Sequence, residues 1–489
     1  MISEIQRFAG TERSCFLTFI VLFLCASTVQ GQWLEESVLM SGEDSVRTAY
    51  TNCKNIAARE NYVHTVWSEK VDDKWRTSYR RSTDGGVEWE DVRHLSTPNS
   101  IWPRQDASIT LFDSDVFVAW ADSRSGTWQI YMARSTDNGA SWSDAVCAAS
   151  DTAFIGPSIV ADGNTVIIAY TALEEFSRSI RCIRSTDGGV TWSPSQVISE
   201  SYFAESPSLA ISDGTVHVCW YDFSFGNSEI IYRRSTDGGQ SWNDLHRLSD
   251  DPGVSNGCTI AASGDDVHVF WHDYRTGVFD VHYVYSWDGG LHWGMDEPIM
   301  VTPYNCYFPA VAVSGDNLHV AWVDCRADEG DIYYARSTNA GGSWEEEQAV
   351  TTSTARSRYP FVCVSGSVLH TLWMDDYRQI VYRRNPTGNM GTTATEDPVF
   401  LPEFTLDQNY PNPFSASSTL RFSLPIAAHV RITLHDMLGR KLQTMLDDMH
   451  NAGTYTTRID GGRLSPGNYL LRMQAGEVVG SRIVTVLHR

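Results

Sequence analysis

Short hydrophobic runs alternate with turn-forming residues along most of the chain, and the alternation itself repeats. One period shows the pattern clearly: Pro309-Ala-Val-Ala-Val313, Leu318-His-Val-Ala-Trp322 and Asp331-Ile-Tyr-Tyr-Ala335 are β-branched or aromatic runs, separated by turn residues such as Ser314-Gly-Asp-Asn317. Runs of this length, bounded by Gly, Asp and Asn, predict strands. After the third run comes a nine-residue segment, Arg81-Ser-Thr-Asp-Gly-Gly-Val-Glu-Trp89 in its first copy, which recurs at Arg134–Trp142, Arg184–Trp192, Arg234–Trp242, Tyr285–Trp293 and Arg336–Trp344. The closing tryptophans are 53, 50, 50, 51 and 51 residues apart, and so constant a period means one supersecondary unit repeated. A fourth strand is expected after each copy, from Trp344 to about Thr351 in the sixth. Four antiparallel strands per period make the blade of a β-propeller, so the chain is expected to be all-β.

Aligning on the aromatic of the second strand gives seven positions, not six: Trp67, Trp120, Tyr170, Trp220, Trp271, Trp322 and Trp373. The seventh unit has three strands; its third, Ile380-Val-Tyr-Arg-Arg384, runs into Asn385-Pro-Thr-Gly388 with no Trp after it. At the other end, Trp33-Leu-Glu-Glu-Ser-Val-Leu39 matches the fourth-strand pattern of Trp192-Ser-Pro-Ser-Gln-Val-Ile198. A strand from the N-terminus that completes the last blade would remove the exposed edges of the ring. The expectation is therefore a seven-bladed propeller closed by an N-terminal strand, with six blades as the alternative.

The repeated Ser-Thr-Asp-Gly-Gly-x-x-Trp segment resembles the Asp-box of sialidase-like and BNR-repeat proteins. Its physical content is local, because Ser and Asp can hydrogen-bond the backbone of their own turn and Gly accepts positive φ. A folding role is expected for the box and no contact with substrate. Catalytic sialidases, which the resemblance brings in, have six blades. They use three arginines on the substrate carboxylate, a Tyr nucleophile assisted by Glu, an Asp general acid and an early Arg-Ile-Pro motif. That motif is absent; Trp102-Pro-Arg104 has Pro and Arg in the opposite order.

Composition separates three further parts. Arg7 and Arg13 precede an apolar run from Cys15 to Ala26, with small or polar residues up to Gly31, which reads as a signal peptide over 1–31. The propeller is assigned to 32–384 and a Pro-, Gly- and Thr-rich linker to 385–403. Residues 404–489 contain Asn409-Tyr-Pro-Asn-Pro-Phe414, Thr419-Leu-Arg-Phe-Ser-Leu-Pro425, Val430-Arg-Ile-Thr-Leu-His-Asp-Met-Leu-Gly-Arg440 and Ser465-Pro-Gly-Asn-Tyr-Leu-Leu471. This segment closely resembles the C-terminal sorting domain of the bacterial type IX secretion system. Its short alternating strands predict a small immunoglobulin-like β-sandwich. The resemblance implies engagement of the type IX machinery through 404–489, export through the periplasm, and a secreted or outer-membrane-surface protein. No transmembrane helix is expected in the mature chain.

The chain has 37 Lys/Arg against 60 Asp/Glu, a formal net charge of −23. The tail from 404 is basic, nine against six, so residues 32–403 hold 26 against 52. An exported acidic body argues against nucleic acid or an anionic membrane as partner. No Cys or His spacing suggests zinc, and no metal or cofactor is expected. His64, His217, His268, His319 and His370 share one strand-two position and read as packing residues. Cys306 and Cys325, in loops of one blade on one predicted face, are a candidate disulfide.

Chemistry is expected on the face opposite the boxes, where the loops from strand two to three and from strand four to the next strand one gather. A repeated Trp-x-Asp-x-Arg there, as in Trp120–Arg124, Trp271–Arg275 and Trp322–Arg326, reads as a turn cap or an ion pair between blades. Residues unique to one blade are better candidates. Trp102, Arg104, Tyr202, Tyr304, Tyr307, Arg356 and Arg358 are the candidate ligand-binding residues, and Asp106, Glu205 and Tyr359 the catalytic candidates. Aromatic faces suit a sugar ring and arginines a carboxylate or sulfate. Two functions remain open: a propeller that binds a glycan or glycoprotein, or an exo-acting glycoside hydrolase of sialidase type that cleaves terminal sugars.

Overall fold

In the computed structural model, the residues described are 33–41, 46–48, 54–97, 106–175, 177–201, 203–326, 330–351 and 355–389, and, towards the C-terminus, 405–406, 409, 412–415, 417–424, 428–437, 440–450, 453–475 and 478–487. The expected signal peptide, most of the linker, and Trp102, Arg104 and Tyr202 lie outside them. The chain divides into two compact units, Met1–Gly391 and Thr392–Arg489.

Among the described residues the first unit holds seven antiparallel sheets in chain order. The sixth illustrates them: Cys306–Ser314, Asn317–Asp324, Asp331–Ser337 and Gln348–Ala349 pair in succession. Each first strand packs against the first strand of the next sheet, and Ser357–Ser365 of the seventh packs against Ile56–Arg59 of the first. The seventh sheet takes its fourth strand from the N-terminus. Ser37–Ser41 pairs with Gln379–Asn385 in the register Ser37↔Tyr382 to Ser41↔Gln379, and Leu34 N donates to Arg384 O at 3.0 Å. Fourth strands are shorter than expected. In five sheets they are two residues long, as in Arg93–His94; in the sixth, 344–347 run outside the ladder after the box turn, and only Gln348 and Ala349 of the expected Trp344–Thr351 pair with strand three.

The boxes hold themselves. Ser82 Oγ donates to Asp84 Oδ1 at 2.7 Å and accepts from Gly86 N at 2.8 Å, while Val87 N and Glu88 N donate to Asp84 Oδ1 at 2.9 Å each. The other boxes repeat this wiring around Ser135/Asp137, Ser185/Asp187, Ser235/Asp237, Ser286/Asp288 and Ser337/Asn339.

Each box also locks one sheet to the one before it. Tyr79 on strand three of the first sheet hydrogen-bonds His64 Nδ1 at 2.7 Å and meets Trp142 of the second box edge-on, with ring centroids 4.8 Å apart. A Cβ placed on Gly139 of that box would lie 1.8 Å from the Tyr79 hydroxyl oxygen. The same contact recurs for His217–Tyr232 with Gly290 and Trp293, for His268–Tyr283 with Gly341 and Trp344, and for His370–Tyr382 with Gly86 and Trp89. Where the seventh sheet lacks a box, Trp33 meets Tyr334 edge-on at 5.4 Å, and Asn389 Oδ1 lies 2.9 Å from His319 Nε2. Arginines add a second tie: Arg81 Nη1 donates to Asn138 O at 2.7 Å, Arg234 Nη1 to Gly289 O at 2.7 Å, and Arg384 Nη1 to Gly85 O at 2.8 Å across the closure.

Cys306 and Cys325 do not form the disulfide expected of them; both are free thiols. Cys306 pairs with Asp324 across the strands, so its neighbour Cys325 is one step out of register and faces the other side of the sheet.

The second unit has a three-stranded sheet, Thr405–Leu406, Ser417–Leu424 and Gly453–Asp460, and a four-stranded one in the order Lys441–His450, Ala428–Asp436, Gly467–Ala475 and Val478–Val486. Leu420 and Phe422 from the first sheet share one core with Ile432, Leu471 and Val484 from the second. Among the described residues, no helix is long and apolar enough to cross a membrane.

Two measurements check the seam between sheets. A Cβ on Gly290 would come within 1.8 Å of the Tyr232 hydroxyl oxygen at φ +81°, whereas Gly264, at φ +58°, faces open space. In chemical denaturation Gly264→Ala should cost about 1–2 kcal/mol, from backbone strain alone, and Gly290→Ala distinctly more; equal costs would show that the seam contact contributes nothing. Burial lowers the seam histidines, His64, His268 and His370 to about 3 and His217 and His319 to about 4. The folded state therefore binds fewer protons than the unfolded chain once the pH falls below about 6.5. Their contribution is complete above that pH and lost as the pH drops toward 4, by up to about 1.4 kcal/mol per unit for each histidine. Denaturant titrations across that range should show the decline, and His217→Gln should flatten it.

Candidate functional site

The site is built on the first strands. In sheets three to seven a bulge interrupts their pairing with the second strands, between Ile155 and Ser158, Glu205 and Ser208, Asn256 and Thr259, Tyr307 and Ala310, and Arg358 and Phe361. In the last four of these, the residue after the break adopts a left-handed backbone: Ser206 (φ 58°), Gly257 (φ 62°), Phe308 (φ 54°) and Tyr359 (φ 52°). Phe and Tyr are costly there, and bulges are where a strand re-aims a side chain. Each sheet thus displays one residue just before the bulge, opposite one residue of its second strand: Glu205 with Tyr221, Asn256 with His272, Tyr307 with Val323, and Arg358 with Met374.

The structure gathers the candidates into two groups. In the first, Glu205 forms an ion pair with Arg178 and accepts from the Tyr221 hydroxyl at 3.0 Å. Arg178 also lies over the Phe154 ring, 4.4 Å from its centroid. Burial raises the Tyr221 pKa, so its hydroxyl stays protonated at neutral pH.

The second group is aromatic. Tyr307 packs with Phe279 at 5.1 Å, His272 at 5.7 Å and Phe308 at 5.9 Å, and Phe308 continues to Tyr359 at 4.7 Å. His272 is buried, which lowers its pKa to about 3; it is neutral, and its Nδ1 accepts from Phe308 N at 3.4 Å. Burial raises the Tyr307 pKa, with the Cys325 thiol adding to the rise and Arg358 opposing it. Arg356 and Arg358 both act on the Cys325 thiol. The Arg358 Nε is buried with no hydrogen-bond partner.

Tyr359, a catalytic candidate, sits in the wall, 7% exposed within the core cluster of Trp67 and Leu372. Asp106 is buried against Gly156 of the third sheet. Tyr304 is exposed, in a turn whose carbonyl accepts from Thr302 Oγ1 at 2.9 Å. Tyr221, His272 and Arg178 escaped sequence reasoning. For the first two a signal existed, since the position between the strand-two aromatic and Asp holds Ala121, Val323 or Met374 in other sheets.

The repeated Trp-x-Asp-x-Arg residues serve their own turns. Asp122 accepts from Trp120 Nε1 at 3.1 Å, Arg124 N at 2.9 Å and Arg124 Nε at 3.0 Å. Asp273 and Asp324 pair likewise with Arg275 and Arg326, within their own sheets rather than between them. Among the described residues no group of three His, Cys, Asp or Glu side chains could hold a metal ion.

Comparison with known proteins agrees with this frame. Residues 20–269 match the BNR repeat-like domain, and residues 408–486 match the secretion system C-terminal sorting domain. None of the curated proteins matches the chain. Among solved structures, a polysaccharide lyase, an ulvan lyase, is similar with a TM-score of 0.51 at 8% identity, covering 71% of this chain and 95% of that one; it is also known bound to -[GlcA(1-4)Rha3S]-. A mutant of Trypanosoma rangeli sialidase displaying trans-sialidase activity has a TM-score of 0.46 at 10% identity, covering 93% of this chain and 90% of that one. The six boxes, the ring of sheets and the matched residues place this chain in the BNR repeat-like domain family, with a C-terminal sorting domain of the type IX secretion system behind it.

Proposed function

We propose that this is a secreted or cell-surface propeller that binds an acidic glycan on the face opposite its boxes. In this reading the seven sheets are seven blades closed by the N-terminal strand, 1–31 is a signal peptide, and the tail is an immunoglobulin-like sandwich on a linker. The observation that carries it is the state of Arg356 and Arg358. Arg59, Arg76, Arg81, Arg124, Arg134, Arg178, Arg275 and Arg326 each pair with a carboxylate. Among the described residues no such ion pair involves Arg356 or Arg358, although the chain is strongly acidic. A buried, unsatisfied guanidinium N–H costs free energy, which a bound carboxylate or sulfate would recover through charge-assisted hydrogen bonds. Tyr307, Phe279 and His272 beside it supply an apolar wall for a sugar ring.

An array of neutral, carboxylated and sulfated oligosaccharides tests the reading, with a sulfated uronate–rhamnose unit like the ligand of the similar lyase among them. Acidic members should bind selectively, and Arg358→Ala or Tyr307→Ala should each weaken binding at least about tenfold, or 1.4 kcal/mol. Unchanged binding by Arg358→Ala would remove the site from this face.

The Tyr221–Glu205 pair favours a second reading, an exo-acting glycoside hydrolase of sialidase type. A Tyr nucleophile with a Glu partner is what the resemblance to sialidases implies, although Arg178 engages the same Glu. Fluorogenic sialosides and a panel of other glycosides decide it. Turnover that falls about 10²–10⁴-fold in Tyr221→Phe would support the enzyme, and no turnover of any substrate by the parent protein would reject it.

A further inference from the structure

Seven cysteines among the described residues are free thiols, and two of them touch across a seam. Cys219 lies on Thr215–Asp222 of the fourth sheet and Cys258 on Ser255–Ser263 of the fifth. Both are fully buried in one apolar cluster with Ile230, Ile260 and Trp271, and the Cys219 thiol is hydrogen-bonded to the Cys258 thiol. The place is particular. Cys219 is two residues before Tyr221 and Cys258 two residues after Asn256, so the thiols lie beneath two of the displayed pairs, Glu205 with Tyr221 and Asn256 with His272.

We propose that Cys219 and Cys258 form a disulfide in the exported protein, joining the fourth and fifth sheets directly under the candidate site. The sorting domain at 408–486 sends the chain out of the cytoplasm, into compartments where disulfides form and persist. The oxidant is a disulfide of a thiol oxidase on the export route. One cysteine thiolate attacks a donor sulfur and gives a mixed disulfide; the second thiolate then displaces the donor. The donor leaves with the two electrons as a dithiolate, which takes up through solvent the two protons that the cysteines gave up and becomes a dithiol. Burial suppresses the Cys219 thiolate in the folded state, so the exchange belongs to the incompletely folded chain, before the seam closes. Cys306 and Cys325, which face opposite sides of their sheet, stay reduced.

The bond would hold two neighbouring displayed pairs at a fixed spacing. It would also convert one of the non-covalent seams of the ring into a covalent one. It is independent of which ligand the face takes.

The test uses full-length protein recovered after export from a type IX-secreting host, unfolded in guanidinium without reductant, alkylated, digested and mapped by mass spectrometry. The expected result is a linked peptide pair containing Cys219 and Cys258, lost on reduction, with Cys306 and Cys325 alkylated at the first step. Reduction should also speed unfolding of the parent protein and leave a Cys219→Ala, Cys258→Ala double variant unaffected. Alkylation of both Cys219 and Cys258 in most molecules before reduction would overturn the proposal, as would linkage of either one to a different cysteine.

Discussion

The contact on which most seams of the ring depend is the buried hydroxyl of a strand-three tyrosine, held by a histidine of its own sheet and capped by the glycine and tryptophan of the next box; at the third and fourth boxes the glycine meets Met132 and Ile167 instead. A side chain at that glycine has no room, and the histidine must stay neutral to remain buried. The box is thus a connector rather than an isolated turn. It satisfies its own polar groups with Ser and Asp and leaves its Gly and Trp free to receive the neighbouring sheet. Where the seventh box is missing, Trp33 and Asn389 take over the two roles from opposite ends of the unit. There the aromatic edge against the tyrosine ring is kept, and Asn389 adds a partner for the histidine Nε2 that His217, His268 and His370 do not have.

Scaffold and candidate site are separated by what repeats from sheet to sheet and what does not. The repeated aspartates at the ends of the second strands are engaged within their own sheets, Asp122 and Asp273 by their own Trp and Arg, Asp324 by Arg326 and Asp375 by Trp373, and many arginines find a carboxylate or a carbonyl. Several arginines of the scaffold, among them Arg134, Arg184 and Arg233, also bury an Nε without a hydrogen-bond partner; Arg358 differs from them in its place, where the first strands bulge and the aromatic belt runs. The bulge gives the site its variability: one backbone device, repeated, presents Glu, Asn, Tyr or Arg without altering the pairing beyond it.

Much of this was legible from spacing. The strand-two aromatics exposed the seventh unit, and the likeness of Trp33–Leu39 to Trp192–Ile198 pointed to the closing strand, because both rest on strongly repeated apolar positions. Glu205, Tyr307 and Arg358 could be picked out as residues peculiar to one sheet. Their shared backbone position could not, since a bulge changes the strand count by one residue without a fixed signature. Arg178 reaches Glu205 from strand three of the preceding sheet, a proximity that only the twist and packing of two sheets create. The cysteines mislead in the same way: Cys306 and Cys325 are close in sequence yet face apart, whereas Cys219 and Cys258 meet across a seam.

The closing strand has a kinetic consequence. Leu34 bonds to Arg384, so the ring completes only when the two ends of a loop of some hundreds of residues meet, a closure whose entropic cost grows only with the logarithm of loop length. Nucleation must then rely on nearer contacts, such as the hairpins and the Tyr–box contacts between consecutive sheets, with the terminal strand arriving last. Until it does, Gln379–Asn385 is an open edge able to pair with the N-terminal strand of another copy. Synthesis rate, export rate and local concentration therefore decide whether a chain closes on itself or on its neighbour.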